Sequence, residues 1–476
     1  LKRRRGVIGI TAFGTYVPVY RLGRNEIARA WKTNDPGGER TVARHDEDSL
    51  TMAVAATLEC IKRTSRGADA LFFATTTPPY REKQAATVVA TATDLPMNSR
   101  TSDITDSIRA GTIAMGLAAD AVKSGSHEQV IVAASDCRMG AGRSQFEQLL
   151  GDGAAAVAIG KSDVIASIDG NLSVFSEFID IWRREGSAFT QSWERRFITN
   201  EGYTKTMQQV ISGIMKKYNL TAKDFSKVIY NGPDQRSHAS LAKSLGFDLE
   251  TQIQDPMYHS IGNTGTAAVL MMLAFALDEA NPGDVILAAN YGDGADAFIL
   301  RVTENIKLVQ GERRIMASLE RKIPINYETY LSWRDLVPTE EPRHPEPRTL
   351  SITCLWRERR STLAFYGNKC QACGTIQYPP QRVCTKCQSK DQVEDYKLSD
   401  KRGHVFTYAI DQLSWGKERP LLVGVVDFEG GGRVLCEICD CNPDEISIGM
   451  PVEMCFRKFN QNADIHNYSW KARPAS

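Results

Sequence analysis

The order of apolar segments in this 476-residue chain predicts a duplicated α/β fold of five layers, α/β/α/β/α, followed by a zinc ribbon and a small all-β barrel. Three observations carry the prediction. The first 310 residues hold an internal repeat, two Cys-x2-Cys pairs follow residue 360, and short strand-like runs separated by glycine-rich turns follow the cysteines.

In the repeat, Gly111-Thr112-Ile113-Ala114 starts an apolar helical run, VIVAA (130–134) follows as a strand, and Gly151-Asp152-Gly153-Ala154 opens the strand AAAVAIG. Later, Gly265-Thr266-Ala267-Ala268 starts a second apolar helix, VILAA (285–289) follows, and Gly292-Asp293-Gly294-Ala295 opens DAFILRV. Repeats this long are not solenoid units; two homologous lobes about a pseudo-two-fold axis account for them. That axis brings two helix starts together, where backbone N–H groups and the positive dipole end stabilise an oxyanion. Each GDGA is followed by a strand rather than a helix, so neither reads as a dinucleotide fingerprint. The MMLAFAL run (271–277) reads as a buried helix.

The stretches GITAFGTYVPVYRL (9–22), EDSLTMAVAA (47–56), FFATTTPP (72–79), DITDSIRAGT (103–112), GNTGTAA (262–268) and YGDGADAF (291–298) resemble 3-hydroxy-3-methylglutaryl-CoA synthase, of the thiolase and ketoacyl-synthase superfamily. The resemblance implies a thiolase-like fold, a CoA thioester as substrate, and a homodimer. It also implies three reacting side chains: a glutamate as general acid/base, a cysteine that is acylated, and a histidine that orients the second substrate. On this chain those positions fall on Thr76, Ile108 and Asn231. Isoleucine has no lone pair to acylate, and a threonine hydroxyl does not exchange protons near neutral pH as a carboxylate does. A placement shifted by one would make Ser107 the nucleophile, but serine needs an adjacent base and the sequence offers none.

The family's Asn263, in the GN motif, is retained, and so are the helix starts near Ser107 and Gly265. An oxyanion site plus one acid/base group still supports aldol or retro-aldol cleavage of a β-hydroxyacyl-CoA, or attack of water or CoA on a β-ketoacyl-CoA. His259 and Tyr258 are candidates for that group, with a satisfied polar residue in a buried loop as the plainer reading of His259. Asp103 and Asp106 read as N-cap residues, and Asn231 as the remnant of a lost site. Side chains as large as Ile108 and Tyr80 raise the question whether a substrate opening survives.

Cys370-x2-Cys373-x10-Cys384-x2-Cys387 has the spacing of a closed four-thiolate structural zinc site. HVFTYAI, LLVGVVDF, RVLCEICDC and PVEMCFRKF then read as strands of a small barrel of the OB type. Together they resemble the OB-fold domains with a rubredoxin-like zinc ribbon that accompany thiolases, which implies a CoA-binding and subunit-bridging module. Strand alternation sets Cys436 opposite Cys439 and Cys441, so these read as buried thiols and not a second metal set.

The domain reading is 1–165 and 166–336 for the two lobes, a Pro-rich charged linker over 337–349, a lead-in helix and ribbon over 350–395, and the barrel over 396–476. NYETYLSWRDL (326–336) reads as the last helix of the lobes, and Trp356, Leu363 and Tyr366 as one face of the lead-in helix. The 58 basic and 57 acidic side chains give no imbalance that points to nucleic acid or membrane. The basic start LKRRRG reads as a solvated end. Eleven cysteines, four of them in the ribbon, fit a reducing cytoplasm. Two classes of function stay open: an acyl-CoA enzyme of Claisen, retro-Claisen or aldol type that uses no cysteine, or a non-catalytic CoA-binding scaffold for a separate cysteine-bearing thiolase or acyltransferase.

Overall fold

The computed structural model describes residues 7–64, 66–310, 318–338, 340, 351–414, 417, 420–462 and 465–475. The basic start (1–6) and most of the linker (339 and 341–349) lie outside the described residues. The chain divides into two compact units. One holds residues 1–44, 48–90 and 95–330, and the other 45–47, 91–94 and 331–476.

The first unit contains both lobes of the repeat. Its strands run in the order Arg100–Ile104, Ala70–Ala74, Gln129–Asp136, Gly153–Gly160, Gly9–Tyr16, then Ala166–Phe175, Gly294–Val302, Val285–Tyr291 and Lys227–Tyr230. Within this sheet, among the described residues, the strands of the two halves pair at Gly9 with Ser167 and Ile10 with Ala166. Within each half the apolar runs seen in the sequence are the central strands. Ala70–Ala74 pairs in parallel with both of its neighbours, and Gly153–Gly160 is buried along its whole length. A strand buried on both faces needs helices on both sides, which is why its residues are apolar without alternation.

The helices supply those layers. Ala110–Ser124 and Ala268–Glu279 share one core with the strands of both lobes. The second is buried from Val269 to Leu277 without a polar stripe, as a helix in a central layer must be. The outer helices are one-sided: Lys205–Tyr218 buries Thr206, Met207, Val210, Ile211 and Ile214, a spacing of three and four residues that forms one face. Ser49–Ile61 begins with a capping box between Asp48 and Thr51, which satisfies two backbone donors the helix leaves unpaired.

The two central helix starts approach as the repeat predicts. A Cβ built on Gly111 would lie 2.5 Å from the Thr266 carbonyl oxygen and 3.2 Å from Leu270. Only a residue without a side chain lets the backbones pass at this distance.

In the second unit, short helices Ile352–Arg357 and Arg359–Thr362 precede the ribbon strand Tyr366–Cys370. The expected single lead-in helix is therefore broken: Phe365 adopts a left-handed φ of 56°, Tyr366 starts a strand, and Trp356 is exposed. Phe365 packs between Phe428 and Trp470, with ring centroids 6.0 and 5.8 Å away. The barrel strands run in the order Arg433–Glu437, Leu421–Phe428, Arg402–Asp411, Pro451–Asn462 and Ile465–Pro474. A bridge between Ile438 and Ala472 brings the ends of this sheet together, giving a nearly closed OB-fold barrel. Four of the strands were legible in the sequence and Ile465–Pro474 was not. The RVLCEICDC strand ends at Glu437, so Cys439 and Cys441 lie beyond it and alternation does not apply to them. Both are nonetheless buried. Among the described residues no helix is long and apolar enough to cross a membrane.

Replacing Gly111 with valine should force the two central helices apart and cost ~1–3 kcal/mol, the usual penalty for overpacking. A thermal melt of the variant checks this; an unchanged midpoint would mean the helix starts are not in tight contact.

Candidate functional site

A cavity of about 1110 Å³ opens in the first unit, lined among others by Thr76, Tyr80, Ile108, Arg138, Asp180 and Gly292. Two of the three positions assigned by the family pattern, Thr76 and Ile108, thus face the same space. Neither Ile108 nor Tyr80 closes it.

Ile108 lies in the turn between strand Arg100–Ile104 and helix Ala110–Ser124. The turn is fastened to the second lobe. Arg109 Nη1 donates to Asp296 Oδ1 at 3.0 Å, Thr112 Oγ1 to Asp296 Oδ2 at 2.8 Å, and Ser107 Oγ to the Gly292 carbonyl at 3.3 Å. A Cβ on Gly292 would fall 2.6 Å from Ile108 Cγ1. The Ser107 hydroxyl also accepts from Arg109 N at 3.4 Å, so its bonds are to backbone and not to a base. This leaves it an ordinary, unactivated serine.

Asp103 accepts from Ala85 N and Ala86 N, both at 2.7 Å. It therefore caps the helix Ala86–Ala92 and not the helix after Ile108, whose N-cap residue is Arg109 with no side-chain bond. Asp106 is likewise not a cap; it sits in the left-handed region at φ 75° on the cavity wall.

The other candidates from the sequence do not reach the cavity. Asn231 is buried and spends its amide on one backbone: Tyr291 N donates to Oδ1 at 2.8 Å and Nδ2 donates to Tyr291 O at 3.1 Å. It splints the end of strand Val285–Tyr291. Tyr258 is locked on Gly232, accepting from its N at 2.8 Å and donating to its O at 2.7 Å, and burial pushes its hydroxyl pKa up. His259 is exposed rather than in a buried loop and is not on the cavity wall. Asn263 is bonded to Arg138, which lines the cavity. Its Oδ1 accepts from Arg138 Nη2 at 2.8 Å and from Gly265 N at 2.9 Å. Two donors on the oxygen fix the amide's orientation, with Nδ2 as its donor end.

Three groups that the sequence reading missed organise the site. Asp136 ends the central strand Gln129–Asp136 and is 1% exposed. Its Oδ1 accepts from Thr76 N at 2.6 Å and from the hydroxyls of Thr75, Thr76 and Thr77 at 3.0–3.3 Å. Its Oδ2 accepts from Thr266 N, in the other lobe, at 2.8 Å. Arg138, two residues on, is 5% exposed and lines the cavity. Burial draws its pKa down, Asp136 offsets this in part, and Arg183 adds to it. Asp180, 6% exposed, is a carboxyl on the cavity wall whose pKa is raised by burial, partly countered by hydrogen bonds from Tyr291 and Ile181 N. A signal for the first two existed, since ligand sites of open α/β sheets lie beyond the carboxyl ends of the strands, and SDCRMG directly follows VIVAA. Asp180 sits in an irregular segment with no sequence signature.

In the ribbon, Cys370 Sγ lies 3.6 Å from Cys387 Sγ, and Cys373 Sγ 3.5 Å from Cys384 Sγ. All four sulfurs fall within 4.8 Å of one another. Zn–S bonds of about 2.3 Å in a tetrahedron set sulfurs about 3.8 Å apart, so the quartet fits zinc. Among the described residues no other group of three or more His, Cys, Asp or Glu is so placed; Cys439 and Cys455, 3.3 Å apart, are a buried pair.

The layered double lobe with facing helix starts and a cavity beside Ile108 defines the class: a thiolase-superfamily fold. The comparisons narrow it. Residues 215–302 match the C-terminal model of 3-oxoacyl-[acyl-carrier-protein] synthase III. Residues 357–394 and 396–457 match the ChsH2 rubredoxin-like zinc ribbon and C-terminal OB-fold domains. The chain is 31% identical over 336 residues to hydroxymethylglutaryl-CoA synthase of Methanopyrus kandleri, covering 68% of this chain and 96% of that one. It is 33% identical over 340 residues to the enzyme of Methanocaldococcus jannaschii, covering 68% and 98%. Among solved structures, an HMG-CoA synthase complexed with CoA aligns with a TM-score of 0.62 at 18% identity over 71% of this chain and 92% of that one. PksG, an HMG-CoA synthase from Bacillus subtilis, aligns with 0.63 at 19% over 69% and 89%. The chain belongs to the hydroxymethylglutaryl-CoA synthase family, with a zinc ribbon and an OB-fold barrel joined to it.

Asp136→Ala should strip five donors of their acceptor and destabilise the first unit by about 3 kcal/mol, since hydrogen bonds to a charged group contribute roughly 1.5–3 each. Chemical denaturation checks it. Elemental analysis of the purified chain should find one zinc, absent in Cys373→Ser with Cys384→Ser, and that double variant should lose the ribbon's fold as a zinc-dependent module does.

Proposed function

We propose that the chain is an acyl-CoA enzyme that makes or breaks a carbon–carbon bond without an acyl-enzyme, its best-supported reaction being aldol or retro-aldol exchange of a β-hydroxyacyl-CoA. The observation that carries the reading is Asp180, a buried carboxyl of raised pKa on the wall of the same cavity as Ile108. Acid/base groups of this kind cluster at reaction sites.

Aldol exchange needs no protein nucleophile. The carboxylate takes the proton of the β-hydroxyl, the Cα–Cβ bond breaks, and its electron pair enters the thioester as an enolate. The carboxylic acid then returns the proton to Cα, releasing a carbonyl compound and a shorter acyl-CoA. Asn263 Nδ2 is the donor assigned to the enolate oxygen, the term that often dominates such catalysis. Retro-Claisen cleavage of a β-ketoacyl-CoA by CoA or water would use the same donor. Exposed Arg81, Lys83 and Arg184 on the cavity wall suit the CoA phosphates, and the OB-fold module adds a CoA-binding, subunit-bridging element. A cytoplasmic homodimer is the assembly we expect.

A second reading, a non-catalytic scaffold for a separate cysteine-bearing thiolase or acyltransferase, is favoured by one observation: Ser107 and Asn231, beside and across from Ile108 in the assigned pattern, are tied to backbone.

The test is mass spectrometry after mixing the purified chain with β-hydroxy- and β-ketoacyl-CoA thioesters. The expected result is product with no protein adduct, at least a hundredfold slower in Asp180→Asn. The rate should rise with pH through a group titrating above the ordinary carboxylate range, because the base acts ionised. No turnover with any member moves the assignment to the scaffold.

A further inference from the structure

Large apolar side chains gathered on a protein surface mark a place where something binds. Such a group stands beside the large cavity. Phe175 is 89% exposed and Ile179 68%, and with Phe178, Ile181 and Trp182 they line a second pocket of about 360 Å³. Ile181, Trp182 and Asp293 belong to the walls of both spaces, so the two adjoin along one short segment. Asp180, between Ile179 and Ile181, lines the large cavity. The base of the proposed reaction therefore sits at the junction of the two.

The second pocket has a fixed wall. Phe178 stacks on Phe197 with ring centroids 5.3 Å apart, and a Cβ on Gly202 would fall 2.6 Å from Phe178 Cε1. That ring is held in place while Phe175 and Ile179 beside it stay open to solvent. The charged residues of this wall, Glu177 and Asp293, are both acidic. An adenine ring would stack on such walls, but it brings phosphates that two carboxylates repel, and the cations Arg81, Lys83 and Arg184 line the large cavity instead. What suits the pocket is an uncharged part of the ligand with much apolar area, since each methylene fully buried tightens binding about fourfold.

We propose that the second pocket holds the substituent on the β-carbon of the acyl group, and that the substrate is a β-hydroxyacyl-CoA with an extended apolar tail. The proposal rests on the reading of the large cavity as an acyl-CoA site with Asp180 as its base. Cleavage beside Asp180 then leaves the tail, now a carbonyl compound, in the apolar pocket and the shorter acyl-CoA in the large cavity.

The test is isothermal titration of the full chain with CoA, butyryl-CoA, octanoyl-CoA and lauroyl-CoA, whose thioesters lack the β-hydroxyl and so bind without cleavage. The expected result is octanoyl-CoA binding at least tenfold tighter than butyryl-CoA, part of the gain that full burial of the added methylenes would give. Phe175→Ser combined with Ile179→Ser, both at exposed positions on which the core does not rest, should bring those two ligands within about threefold of each other. Equal affinity of the three thioesters for the unaltered chain would overturn the tail pocket while leaving the acyl-CoA site in place. A chain-length preference that survives the double variant would overturn the assignment to this pocket. Equal weakening of CoA and all three thioesters by the variant would make the pocket a contact for the CoA moiety and overturn the proposal as well. Absence of binding by any of the four would overturn both the tail pocket and the acyl-CoA reading.

Discussion

The site depends on the buried carboxylate of Asp136. It ends a strand of the first lobe, gathers the Thr75–Thr77 loop on one oxygen and holds Thr266 of the second lobe on the other. A buried charge is tolerated only when its lone pairs are met, and here the partners come from both lobes. The carboxylate thereby sets the spacing of the cavity floor. Thr76, Arg138 and Asn263 take their positions from it, directly or through one neighbour. Gly111 and Gly265 belong to the same constraint, since side chains there would strike Thr266 O and Asp136 Oδ2.

The fold was legible because its signals are local. Apolar strands, GDGA turns and paired helix starts recur in the same order, and the ribbon cysteines have a spacing few other structures produce. The site was legible only where the family pattern assigned positions. Thr76 and Ile108 do share the cavity, but Asn231 and Tyr258 are spent on backbone and His259 points to solvent. Asp103 was read as a cap correctly in kind but on the wrong helix, because the strand it ends runs beside the start of Ala86–Ala92 and sequence order does not show that. Asp136, Arg138 and Asp180 escaped because their meaning depends on burial and on partners up to 130 residues away. The break at Phe365 escaped because packing against Phe428 and Trp470 overrides helical propensity.

The proposed chemistry rests on the side chains the cavity presents. Its wall carries Ile108, Thr76 and a buried carboxyl, Asp180, from an irregular segment. A reaction whose only demand is proton movement alongside an enolate suits that inventory better than one that needs an acyl carrier.

The fastening of the Ile108 turn bears on what position 108 can tolerate. Arg109, Thr112 and Ser107 secure it to Asp296 and Gly292 whatever side chain stands between them. The backbone of this turn therefore owes nothing to the side chain at position 108. A substitution at position 108 can thus change what faces the cavity without refolding the turn that carries it.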